Sequence, residues 1–90
     1  MAVLLVAYEL KTAGQDYTPF YETIQKTADG WCHYIDNVWI VNTYLTAHQF
    51  AEKLYPHMTK EDFLLVTRLS RDYQGWLPKD AWDWLNARNY

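Results

Sequence analysis

The chain is poor in most of the residues that announce a chemistry. A single cysteine, Cys32, excludes an internal disulfide framework and suits a reducing compartment. The three glycines, Gly14, Gly30 and Gly75, are isolated, so no glycine-rich phosphate loop exists. There is no HExxH, no CxxC, and no Ser, His and Asp in an order that supports a triad. Basic residues are also short. Eight Lys and Arg against eleven Asp and Glu give a formal net charge of −3, which leaves no footprint for avid phosphate binding, so a nucleic-acid role would need a local patch. The opening apolar run is shorter than the ~18–20 residues of a spanning helix and lacks a basic start or cleavage site. It therefore reads as neither signal peptide nor membrane span, and the expected location is cytoplasmic.

What the chain does have is aromatic side chains, with five Trp and eight Tyr in ninety residues. So many rings do not all fit a small core, and some belong at an interface. Ninety residues make one domain, whose burial of about 60–65% on folding leaves stability marginal unless a partner adds area.

The rest is organised around Ala2–Leu10, an almost unbroken apolar run followed by the turn-forming Lys11–Asp16. A run of this length reads as a buried strand. Val3, Leu5 and Ala7 point one way and Leu4, Val6 and Tyr8 the other, so a central strand covered on both faces is expected. Glu9 is the first ionisable group after it, at the rim of the sheet.

A helix follows, with Thr18 as expected N-cap, Pro19 at its first position and Phe20, Ile24 and Ala28 as its apolar stripe. Asp29-Gly30 would end it through a residue suited to positive φ. Trp31–Ile35 and Val38–Asn42 read as two strands of a hairpin joined by Asp36-Asn37. His33 reads as a hydrogen-bonded strand histidine and Cys32 as a small buried hydrophobe. Thr46-Ala-His-Gln49 is a capping box, with Leu45 and Phe50 at the positions of a hydrophobic staple. Pro56 stops that helix near Leu54 or Tyr55. Phe63–Leu69 is a fourth strand, Tyr73–Leu77 an edge strand or loop, and Pro78–Leu85 a short helix.

The order strand, helix, strand, strand, helix, strand predicts an α+β, ferredoxin-like βαββαβ sandwich. Its antiparallel four-stranded sheet runs in order 4-1-3-2 with two helices on one face. Residues 1–72 form this core, and a strand and helix tail at 73–90 completes the same domain or its dimer. Strands apolar on both faces need a second cover, which must come from the tail, another chain, or both. A homodimer through the open face is the economical answer, with Trp39, Val41, Trp76, Trp82 and Trp84 as interface residues.

The opening Val3–Leu10, the hairpin at 31–43, and a fourth strand followed by a strand-like tail resemble the small ferredoxin-like family of CRISPR adaptation endoribonucleases and VapD-type toxins. The segment Gly75-Trp-Leu-Pro78 is similar to one in short bacterial proteins labelled SinR-like. The resemblance implies a dimer in which a carboxylate ending the first strand of each protomer flanks a divalent metal. Those nucleases carry Tyr-Asp there, whereas this chain has Tyr8-Glu9, and the added methylene moves the carboxylate by more than an ångström. Glu9 is thus the candidate metal and catalytic residue, alone or with Asp36 and Asn37, which the topology brings to the same rim. Arg68 and Arg71 are candidate phosphate contacts, or Arg71 and Asp72 pair to hold the tail.

The leading expectation is a dimeric interaction or scaffold protein without efficient turnover and without a cofactor. The alternative is a weak endoribonuclease using Mg²⁺ or Mn²⁺ between the two Glu9 side chains. A regulator with a ligand in the dimer cleft has no specific residues in its favour.

Overall fold

In a computed structural model describing residues 1–90, the apolar run at the start of the chain is an inner strand, β1 (Ala2–Glu9). It pairs antiparallel with β3 (Val38–Thr43) on one side and β4 (Phe63–Arg68) on the other, while β2 (Gly30–Ile35) lies outside β3. The sheet order is β2-β3-β1-β4. Helices α1 (Thr18–Thr27), α2 (Ala47–Leu54) and α3 (Lys79–Asn86) complete an α+β architecture compatible with the ferredoxin-like arrangement.

Alternation along β1 creates the two faces. Leu4, Val6 and Tyr8, with Trp39 and Val41 of β3, meet Phe20 and Ile24 of α1 and Phe50 and Leu54 of α2 in one buried cluster. Each large apolar side chain removed from water there contributes about 1.5–3 kcal/mol, which the ordering of the chain largely offsets.

The helix ends follow local chemistry, with two corrections to the sequence reading. Thr18 is the first residue of α1 and not its cap, and the Asp16 carboxylate accepts from the Thr18 amide at 3.0 Å in its place. These bonds hold the Asp16 carboxyl below its usual value. Gly30 supplies no left-handed residue either. The one glycine at positive φ is Gly14 at 79°, in the turn after β1, where an L side chain would be strained. α1 instead leaves through extended Ala28, and the Asp29 amide donates to the Asn42 carbonyl at 2.8 Å, drawing the chain straight into β2.

The capping box of α2 is present in full. Thr46 Oγ1 accepts from the Gln49 amide at 3.2 Å, and Gln49 Oε1 accepts from the Thr46 amide at 3.0 Å. The α-helix stops at Leu54, and Tyr55–His57 tighten into one 3₁₀ turn around Pro56, which lacks the N–H to continue.

At the hairpin Asp36-Asn37, neither residue has positive φ, so the turn lacks the twist of the favoured two-residue types. A register shift between Cys32 and Ile35 accompanies it. Residues 69–78 form no edge strand. They run as a loop to α3, which buries Ala81 and Leu85. No helix is long and apolar enough to cross a membrane.

Candidate interaction face

The face of the sheet opposite α1 and α2 is built of rows that run across the strands. In antiparallel pairing, residues in register share a face, so the ladder can be read sideways. Gly30, Asn42, Val3 and Leu69 make the first row, Cys32, Ile40, Leu5 and Thr67 the second, and Ile35, Val38, Ala7 and Leu65 the third. Glu9 and Phe63 begin a fourth.

The tail covers this face from one end only. Over the first row Val3 is fully buried, and Trp84 approaches Gly30 so closely that a Cβ there would meet its ring at 3.8 Å. Over the second row Leu5 and Ile40 line a groove of about 200 Å³ with Leu69, Leu77, Trp82 and Leu85. The third row is less covered, with Ile35 at the groove's margin and Ala7 and Val38 half-buried. Leu65 is 63% exposed, Ile35 52%, and neighbouring Phe63 60%. Trp76, on the loop bordering the groove, is 99% exposed. Large exposed side chains at both ends of an apolar row, with half-buried Ala7 and Val38 between them and a groove and a bare indole beside them, differ from scattered surface hydrophobics.

The expected interface residues are thereby sorted. Trp39 and Val41 lie on the helix side, 3% and 0% exposed, and have no surface to give a partner. In-register pairing of Trp39 with Val6 and of Val41 with Leu4 turns both side chains toward α1 and α2. Trp82 and Trp84 are half-buried on α3. Trp82 stacks on Tyr73, and Trp84 carries the Arg88 guanidinium at 4.8 Å. Trp76 alone of the five tryptophans is bare. Phe63, Leu65 and Ile35 are exposed anchors that the sequence pattern does not single out; for Phe63 and Leu65 the signal is β4's apolar residues at both alternating and intervening positions, and for Ile35 on β2 there is none.

The charged candidates lie around this face without gathering. Glu9 is exposed and sits 3.9 Å from Lys11 Nζ, which in turn lies over the Phe63 ring at 4.9 Å. The Asp36-Asn37 turn does reach the end of β1, since the Tyr8 amide donates to the Asn37 carbonyl at 3.1 Å. No three His, Cys, Asp or Glu side chains stand close enough to share an ion. Arg71 donates to the Arg88 carbonyl at 2.8 Å and covers Tyr90, so it does hold the tail, though through these groups and not Asp72. Arg68 is in register with Leu4, on the helix side, so the two arginines do not form one clamp.

Several other titratable groups have structural employment. Tyr8 Oη accepts from Trp39 Nε1 at 2.9 Å and donates to the Asp36 carbonyl at 3.0 Å, tying three strands' ends together. Burial pushes the Tyr8 pKa up to about 12. His33 stacks on Trp39 with centroids 4.0 Å apart and its Nε2 pairs with the Asp36 carbonyl. Burial raises the pKa of the Cys32 thiol, which disfavours the reactive thiolate.

Burial also pushes Asp62 upward, but donors to it prevail: the Thr59 and Lys11 amides and the Tyr17 hydroxyl hold its carboxyl below its usual value. This one side chain fastens the loop after β1 to the segment before β4.

No protein-family model matches the chain, and neither a curated protein nor a solved structure does.

Proposed function

We propose that the chain is a small ferredoxin-like interaction protein that works as a homodimer and scaffold without efficient catalysis, related in kind to the CRISPR adaptation and VapD-type proteins. The observation that carries the reading is the third row, whose ends Ile35 and Leu65 stand exposed on either side of half-buried Val38 and Ala7, with exposed Phe63 beside it. A two-fold partner presents the same row to itself, so one patch satisfies both copies.

Sedimentation equilibrium at micromolar concentration tests this: a dimer is expected, and Leu65→Lys should dissociate it while leaving the monomer folded, because that side chain already faces water. A mass of 10.8 kDa throughout the range removes the proposal.

A second reading, a metal-dependent endoribonuclease, draws support from the place of Glu9. It is in register with Phe63 at the margin of the same face, so two-fold pairing there would bring two carboxylates to a common border. Its longer side chain fits strict octahedral geometry less well than aspartate. Millimolar Mg²⁺ or Mn²⁺ is expected to leave the melting temperature unchanged and RNA uncut. A rise of several degrees that vanishes in Glu9→Gln, with RNA cleavage lost in the same variant, would establish the nuclease in place of the scaffold.

A further inference from the structure

We infer that the groove beside the third row receives Trp76 of a second copy, each protomer of the dimer giving its indole and taking the other's. The inference rests on the homodimer reading and says how that dimer is held.

Trp76 is 99% exposed on a loop whose preceding residue, Gly75, has nothing within 4 Å of a notional Cβ. A bare indole in a chain whose other four tryptophans are all at least half-buried is an apolar surface without a partner. It stands at the rim of the groove of about 200 Å³, which is floored by Leu5 and Ile40 and walled by Leu69, Leu77, Trp82 and Leu85. That volume is of the order of one indole side chain, which presents up to about 250 Å² of surface for burial.

Donor and acceptor lie side by side on one surface, as an isologous interface requires. A two-fold axis passing between them sets each Trp76 over the other copy's groove, and no filament follows because the contact closes on itself.

The area comes within reach of what a second copy as the occupant needs. Trp76, Leu65, Phe63 and Ile35 together expose on the order of 500 Å², about half of it from Trp76. A standard interface takes about 800 Å² from each partner. The half-buried Leu5, Ala7, Val38 and Ile40 lie among these side chains and contribute toward the rest. Without Trp76 the patch falls well short, so the indole is the anchor and the third row is the flanking contact that keeps water out.

The test is fluorine NMR of protein labelled with 5-fluorotryptophan, the Trp76 resonance being assigned by its absence in Trp76→Phe, with a soluble gadolinium chelate as relaxation probe. In the dimer the Trp76 resonance is expected to be shielded from the probe, and on dilution to monomer it becomes as accessible as free tryptophan. Trp76→Ala is expected to weaken association at least tenfold in sedimentation while leaving the monomer's unfolding midpoint unchanged. A dimer in which Trp76 stays accessible and Trp76→Ala associates like the parent overturns the inference and leaves the dimer standing. Shielding that persists in the monomer overturns it too, by showing that the indole folds into its own groove. Absence of any association removes both readings together.

Discussion

Tyr8→Phe removes one oxygen atom and tests how the core is tied to the hairpin. The Tyr8 hydroxyl is the acceptor for Trp39 Nε1–H at 2.9 Å, and Trp39 is 3% exposed between the sheet and its helices. Without the hydroxyl that N–H is buried with no acceptor, a penalty of about 1–3 kcal/mol. The other end of the chain matters less, because the Asp36 carbonyl stands in an exposed turn where His33 Nε2 and water remain within reach.

The phenyl ring keeps its edge contacts with Phe20 at 5.0 Å and Tyr21 at 6.1 Å, so no cavity term adds to the loss. With a urea slope of about 1–1.5 kcal/mol/M for a domain of this size, the midpoint should fall by about 0.7–3 M. Urea titration followed by far-ultraviolet circular dichroism measures it, at a protein concentration fixed low enough that association does not differ between variants.

The double variant Tyr8→Phe/Trp39→Phe should cost less than the two single losses together, since it has no orphaned donor. A midpoint within error of the parent, or strictly additive losses, would refute the hydrogen-bonded chain.

The same residue sets an alkaline limit. Its folded pKa of about 12 lies above the ordinary value of 10, so its contribution is fully present below pH 10 and is lost as pH rises through 12. Tyr8→Phe should therefore shrink the alkaline decline and leave the part due to Tyr90, whose pKa burial and Tyr73 likewise raise to about 12.

Two further outcomes follow from single side chains. Thr46→Ala opens the capping box of α2 and should lower stability by about 0.5–2 kcal/mol in urea titration, while an unchanged midpoint would mean that water caps the helix equally well. Asp62, whose folded pKa is depressed, stabilises the fold above the ordinary carboxylate pKa of about 3.9, and that contribution is lost as pH falls through the folded value. Asp62→Asn should thus be less stable than the parent at pH 7 with the gap closing in acid, and thermal melts from pH 7 to 2.5 that run parallel would disprove it.

The amino-acid sequence by itself determined the elements whose causes are local. The unbroken run at 2–9, the Thr46/Gln49 box, the stop at Pro56 and the two-residue hairpin turn are properties of neighbours in the chain, and from their order the sheet follows. It also determined that the second face of the sheet needs a cover, because apolar residues at consecutive strand positions must point both ways.

Only the tertiary structure decided which residues carry that cover. Trp39 and Trp76 are the same residue type with the same bulk. One is turned inward because the register of β3 against β1 places it with Val6, and the other stands bare because its loop, while walling the groove with Leu77, leaves the indole at the rim in water. Registers, and the path of a ten-residue loop across a sheet, depend on contacts between segments far apart in the chain. No window of sequence holds them.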